Sequence, residues 1–250
     1  MADAPLHVPT FVVIGGGPAG DVYVRQLLRA VRAGRLATER VLVVDRDPGC
    51  AVSRRCGPRA GARPEVVLER ASWADWLDAH LDELGSDDHL VPYHWAPHLL
   101  RDWLARQVAA AGAVASPAGD VPPRGLPFEG TTAAGDRALS YASWICPPLC
   151  IEPALCPHTR GPKDWSLARD LESSRPDDPW DGRAVFRCLH LVYGVGTIPV
   201  AEIVAARDRL VAALEDGPRT WLVATSSHCH ALASTLRVVP GARCRGGSEA

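Results

Sequence analysis

The chain has 250 residues, 47% of them hydrophobic and 22% charged, with a formal net charge of −2 at pH 7. These are globular proportions, so wholesale disorder, a collagen repeat and a long coiled coil are excluded, and the near-zero charge argues against a nucleic-acid partner. No apolar run approaches the ~20 residues of a membrane span, and residues 1–9 lack the basic and apolar regions of a secretory leader, so a cytoplasmic protein with no membrane contact is expected.

Phe11–Ile14 is a short β-branched run suited to a buried parallel strand, and it feeds straight into Gly15-Gly16-Gly17-Pro18-Ala19-Gly20. A helix follows, with Val24, Leu27, Leu28 and Val31 at i, i+3, i+4, i+7 and Gly34 as its stop. Val41–Val44 is a second buried strand ending at Asp45, which completes a βαβ unit. Residues 47–63 read as loop. Trp73–Leu84 is helical, His89–Tyr93 is a short strand, and Ala96–Ala111 is a helix with Leu99, Leu100, Trp103, Leu104 and Val108 on one face. Trp73, Trp76, Trp103 and Trp221 read as core. His94 and His98 read as helix-start caps or surface groups.

Residues 112–137 carry no periodicity and read as an irregular connection. Residues 143–180 are rich in cysteine and proline. Ala184–Tyr193 reads as one strand, Gly194–Pro199 as a turn into a helix over Val200–Leu214, and Thr220–Thr225 as a strand followed by a short helical stretch. The expected organisation is one α/β domain over residues 1–240, with 112–182 as a Pro/Gly/Cys-rich insertion and 241–250 as a flexible tail.

Gly15, Gly17 and Gly20 fit G-x-G-x-x-G between a strand and a helix. Gly15 permits the tight turn, Gly17 lets backbone approach a pyrophosphate, and Gly20 lets helix and strand pack closely. The helix N-terminus supplies amide donors for the phosphates. Asp45, at the end of the second strand, stands where an acid would hold a ribose. The alternatives are a glycine-rich turn used only for packing, or a related fold binding another small ligand.

Gly15–Gly20, taken with Val41-Leu42-Val43-Val44-Asp45-Arg46, resembles the N-terminal dinucleotide-binding region of the FAD/NAD(P)-binding Rossmann-type oxidoreductases. The string GGGPAG is especially like the flavoproteins of that group. The resemblance covers about the first 55 residues. It implies a Rossmann-like, mostly parallel sheet with helices on both faces, here carrying an irregular Cys/Pro-rich insertion. It implies FAD or NAD as cofactor, bound by Gly15, Gly16, Gly17, Pro18, Ala19 and Gly20, with Asp45 and Arg46 at the ribose end. Arg54 or Arg55 stands where such proteins often place a cofactor-touching arginine. Gly196 and Thr197 are further candidates for contact with phosphate or substrate. The bland reading of that pair is a tight β-to-α turn with Thr197 as cap.

Cys146, Cys150 and Cys156 form C-x3-C-x5-C-P, with His158 just beyond and prolines holding the segment out of regular helix. Such a loop suits an iron–sulfur cluster or zinc. Ligands from elsewhere would complete it: Cys229, His228 and His230 lead, with His158, Cys188 and His190 in reserve, the last two expected to share one strand face. Packed free thiols, or a redox pair such as Cys146 with Cys150, are the alternatives. Glu152 and Arg160 read as a loop salt bridge or as acid/base groups. Basic charge is nearly all arginine, with Lys163 the only lysine, and asparagine is absent; a GC-rich bacterial genome accounts for both.

These features combine into a dinucleotide-binding redox protein or oxidoreductase with a Cys/His metal or iron–sulfur site, acting on a small-molecule substrate or a redox partner. A non-enzymatic nucleotide-binding sensor with a structural zinc loop is the second reading, and a metal-dependent transferase using S-adenosylmethionine the third. No catalytic residue is assigned, because no Tyr-x-x-x-Lys or comparable pair is visible.

Overall fold

A computed structural model describes residues 4–56, 63–92, 98–147 and 149–241. The N-terminal part runs β1 (Leu6–His7), β2 (Thr10–Ile14), α1 (Pro18–Arg32), β3 (Leu36–Ala37), β4 (Arg40–Val44), α2 (Ala51–Cys56), β5 (Glu65–Glu69), α3 (Trp73–His80) and β6 (His89–Val91). β2, β4, β5 and β6 are parallel, in the order β5-β4-β2-β6. Both faces of β2 and β4 are covered, which is why these strands read as unbroken apolar runs. Phe11, Val13, Val41 and Val43 pack under Val24, Leu27 and Ala30 of α1. Val12, Ile14, Leu42 and Val44 face the opposite side.

The middle of the chain gives α4 (Leu99–Ala110), β7 (Val114–Pro117), β8 (Phe128–Thr131), β9 (Arg137–Ser140) and α5 (Leu167–Glu172). Then come β10 (Gly182–Arg187), β11 (Leu189–Val192), β12 (Val195–Pro199), α6 (Val200–Ala212), β13 (Arg219–Ser226) and β14 (His230–Val239). The hairpin β11–β12 adds to the first sheet, antiparallel to β6. A second sheet has the order β10-β13-β14-β9-β8, with β7 also on β14. The small β1–β3 ladder is the third sheet, so among the described residues the architecture is mixed α/β with six α-helices.

One buried cluster joins the two large sheets. Leu77 of α3, Trp103 and Leu104 of α4 and Ile203 and Leu210 of α6 lie between Val12 and Ile14 on one side and Phe186, Val223 and Leu236 on the other. The outer face of the second sheet is covered by Leu167 and Leu171 of α5 and by Trp180. α4 is started by His98, whose Nδ1 accepts the Arg101 N–H at 3.3 Å while Nε2–H donates to the Leu232 carbonyl at 2.9 Å. The ring is therefore neutral and acts as a cap, as expected for that position.

Several elements differ from the sequence reading. The loop expected over 47–63 contains α2, and β5 was not anticipated at all. Its Glu65 and Glu69 mask a strand held by five register pairs with β4. Residues 112–182 are not irregular throughout: β7, β8, β9 and α5 lie there. The three strands are four residues each and carry few β-branched side chains, so their local signal is weak and their ladders to β14 and to one another form them. The strand expected over 184–193 is two strands in different sheets, separated at Cys188. The expected helix after residue 230 is the ten-residue strand β14, paired to β13 from Ser226↔Ala231 to Arg219↔Val238. Tyr93, His94 and the tail beyond Gly241 lie outside the described residues. Among the described residues no helix is long and apolar enough to cross a membrane.

Candidate functional site

The turn from β2 into α1 is built by three glycines with three different jobs. Gly15 has φ 89°, a left-handed conformation that favours glycine, and its N–H continues the ladder to Val44 O at 2.9 Å. Gly20 lies against the turn itself: a Cβ there would overlap the Gly15 carbonyl oxygen. Gly17 is the N-cap of α1, in extended conformation, and a Cβ on it would meet nothing within 4 Å. The first intrahelical bond of this turn is Asp21 N–H to Gly17 O at 2.9 Å. The amides of Gly17, Ala19 and Gly20 precede it and, like those of every helix start, have no acceptor within the helix; Pro18 has none to offer.

Asp45 locks this turn to the end of β4. One carboxylate oxygen accepts the Gly16 N–H at 2.6 Å and the other accepts the Asp47 N–H at 2.8 Å. Each oxygen keeps a second lone pair, so the side chain can still accept hydroxyl hydrogen bonds. Gly16 faces inward, since its Cβ would lie 2.5 Å from Cys50 Sγ, and its carbonyl accepts the Val52 N–H at 3.0 Å. α2 is thereby seated beside the glycine turn. Arg55 is committed to the buried Asp21 at 3.0 Å, with Arg25 at 3.1 Å on the same oxygen. Arg46 is exposed.

Gly196 and Thr197 are not a turn. Both belong to β12, and Thr197 is fully buried: its hydroxyl accepts from His89 Nδ1 at 2.9 Å and donates to Leu189 O at 3.3 Å. It therefore cannot cap α6, whose N-cap is Pro199, nor reach a ligand. Gly196 faces the His190 ring, 3.1 Å from its Nε2 to an added Cβ. The expectation failed because a Gly-Thr-Ile-Pro string before a helix reads locally as a turn, while the β11 and β6 ladders extend it.

The cysteine loop wraps the tip of the β13–β14 hairpin. Its two ends are tied there: Tyr141 N–H donates to Cys229 O and Leu167 N–H to His228 O, each at 3.0 Å. Trp165 Nε1–H reaches Cys229 Sγ at 3.3 Å, and the Glu152 carboxylate accepts the His228 N–H at 2.8 Å. Within the loop, Cys150 N–H closes a turn on Pro147 O at 3.1 Å. Cys156 heads a second turn, with Arg160 N–H on its carbonyl at 2.7 Å. Burial pushes the Cys146 thiol up, and nearby Cys229, Cys150 and Cys156 push it the same way. Burial also raises Cys229, against the pull of Trp165 and Lys163. Cys156 goes the other way: backbone N–H donation from Thr159 to its sulfur outweighs burial, helped by His158 N–H and the Thr159 hydroxyl. These contacts bring the loop that carries Cys146, Cys150 and Cys156 against the hairpin tip that carries Cys229.

Two imidazoles beside this loop have settled tautomers. His190 Nδ1–H donates to Cys150 O at 2.5 Å. His230 Nδ1–H donates to Ser140 Oγ at 3.0 Å, because that hydroxyl already donates to Ala142 O. Both leave Nε2 as a bare acceptor. Burial lowers the pKa of His228 and of His230. Cys188 lies between β10 and β11 rather than within a strand, yet its Cβ and the His190 ring both face Gly196, so the two are on one side as expected; burial pushes the Cys188 thiol up to about 12. Beside this loop, His228 Nε2 and Lys163 Nζ are buried atoms without a hydrogen-bond partner among the described residues. The charge of Lys163 acts on Cys156, Cys229, His228 and His230 together. The sequence signal for Lys163 was its singularity, one lysine in a chain whose other basic side chains are arginine. Cys50, Cys146, Cys150, Cys156, Cys188 and Cys229 are free thiols. Among the described residues no three His, Cys, Asp or Glu side chains are converged so as to hold an ion.

A family model described as "uncharacterized protein, C-terminal domain" matches residues 97–239, more than half of the chain, and the chain belongs to that family. The match takes in α4, the second sheet, the β11–β12 hairpin and the whole cysteine loop. No curated protein and no solved structure matches the chain.

Proposed function

We propose that the chain binds an adenine dinucleotide, FAD or NAD, across the Gly15–Gly20 turn, and that it works as a redox protein or oxidoreductase on a small-molecule substrate or a redox partner. The observation that carries this reading is the open side of Gly17. It faces free space at the carboxyl edge of a parallel sheet, next to helix amides without helical acceptors and an acid at the end of the adjacent strand. That is the arrangement a pyrophosphate and a ribose require. The strand order β5-β4-β2-β6, joined by α1, α2 and α3, also supports taking the N-terminal part as a Rossmann-type unit.

The residues fit the group. Gly17, Ala19 and Gly20 would offer backbone N–H to the phosphates, and the free lone pairs of Asp45 would accept from ribose hydroxyls. Gly16 and Gly20 serve packing, each excluding a Cβ from a neighbour. When bound, the dinucleotide supplies hydride or electron transfer. The backbone amides of the turn and the Asp45 carboxylate would hold and orient its adenosine half. An acid at position 45 favours NAD over NADP, because a 2′-phosphate would face a carboxylate.

The test is calorimetric titration of the purified chain with FAD, NAD⁺ and ADP-ribose. ADP-ribose carries the shared pyrophosphate and ribose without the reactive ring. Saturable one-to-one binding of ADP-ribose with either dinucleotide supports the reading; no binding of any of the three overturns it.

A further inference from the structure

We propose that α6 is a docking surface for a second copy of this chain, whose own α6 runs antiparallel to it across a two-fold axis. This goes beyond the dinucleotide reading and does not depend on it.

α6 buries one stripe and leaves the opposite one bare. Val200, Ile203, Ala206 and Leu210 belong to the core that joins the two large sheets, while Ala201, Glu202, Ala205, Asp208, Arg209 and Ala212 are exposed. The outward face of a surface helix is ordinarily polar and charged, whereas alanine recurs along this one. A groove runs on each side of the stripe. One, of about 290 Å³, lies between it and Val185 and Phe186 of β10. The other, of about 350 Å³, lies between it and Leu84, with Val200 and Val204 in its lining. Ala201 and Ala205 border both grooves. They make a low ridge between two partly apolar channels, a shape onto which another helix can settle at short interaxial distance.

The charges on the stripe identify the occupant. Arg207 is committed to Asp82 and to Asp208, the latter at 2.9 Å, so Asp208 is neutralised within the chain. Among the described residues the side chains of Glu202 and Arg209 make no hydrogen bond and no ion pair; Arg187 acts on Glu202 only at a distance, against Glu172. Glu202 and Arg209 are seven residues apart, two turns and about 10 Å along the axis, so they share a side of the helix but cannot meet within one chain. In an antiparallel pair related by a two-fold axis, positions 202 and 209 exchange places. Glu202 of each copy then faces Arg209 of the other, and both lone charges are met at once. A parallel pair would instead oppose Glu202 to Glu202 and Arg209 to Arg209. The same two-fold lays one alanine ridge against the other, which lets the helices approach closely. An unrelated helix would have to carry the matching charges at the matching spacing, whereas a second copy supplies them by symmetry.

Sedimentation velocity of the full chain, from low micromolar to a few hundred micromolar, should show a reversible monomer–dimer equilibrium. Its Kd should be micromolar, as suits an interface of little more than one helix from each chain. Glu202→Arg, Arg209→Glu and Ala205→Arg should each weaken the dimer by about tenfold or more, the first two by setting like charges opposite one another and the third by blocking the ridge. An equimolar mixture of the E202R and R209E chains should associate again, because each then carries the charges that the other lacks. Hydrogen exchange on the wild type at low and high concentration needs no variant, and the added protection should fall on α6 and the walls of its two grooves. A wild type that stays monomeric throughout overturns the proposal. So does a dimer indifferent to both Glu202→Arg and Ala205→Arg, protection that falls elsewhere, or a mixture of the two charge variants, folded by their urea midpoints, that does not associate.

Discussion

Replacing Gly17 with alanine separates the fold from the proposed ligand. Gly17 sits at φ −67° and ψ −165°, extended backbone that any residue adopts, and its Cβ would meet nothing within 4 Å. Alanine in place of glycine at an N-cap costs from a few tenths to about 1 kcal/mol. The same methyl group would stand between the turn and a pyrophosphate. It would remove at least one charge-assisted amide–phosphate hydrogen bond of about 1.5–3 kcal/mol, which is about ten- to a hundredfold in affinity. Gly20→Ala should behave in the opposite way. Its Cβ collides with the backbone carbonyl of Gly15, so helix and strand must separate, at about 2–3 kcal/mol of stability, whether or not a ligand is present. Urea unfolding gives the two stabilities, and titration with ADP-ribose gives the two affinities. A Gly17→Ala chain that unfolds like wild type and binds ADP-ribose with unchanged affinity refutes the cradle.

Asp45→Ala strips the Gly16 and Asp47 amides of their acceptor and should lower stability by about 1 kcal/mol while weakening ADP-ribose binding; an unchanged urea midpoint would show that the carboxylate does not tie the turn. His98 predicts an acid limb to the stability curve. Burial holds its pKa at about 4, below the ordinary 6.5, so the unfolded chain takes up the proton first. Stability from this group is complete above pH 6.5 and is lost as pH falls toward 4, by roughly 3 kcal/mol in all. Urea midpoints at pH 7 and 4.5 should diverge more in wild type than in His98→Asn, and equal divergence would contradict the assignment.

The sequence by itself determined the elements whose environment is uniform along their length. β2 and β4 are buried on both faces, so every residue is apolar and the run is visible without a partner. α1, α4 and α6 bury one stripe, and the 3.6-residue period betrays them. The glycine turn was legible for a related reason: a left-handed Gly15 and a Cβ-free Gly20 are demands of local geometry, and only one residue type meets them. What the tertiary structure decided lay where the local signal was weak or two-sided. β7, β8 and β9 are short and gain their hydrogen bonds from strands far away in the chain. β14 alternates Ala, Ser, Thr and Leu in a way that suits helix or strand until β13 lies beside it. Thr197 looked available to a ligand until the β12 ladder buried it. The cysteine loop belongs to both lists. Its prolines and its spacing were plain in the sequence, but the docking of Glu152 and Trp165 on the His228–Cys229 tip was not. Glu152 meets His228 only because β14 returns against β13 and carries the hairpin tip into the loop, a long-range pairing that leaves no mark on either segment's local pattern.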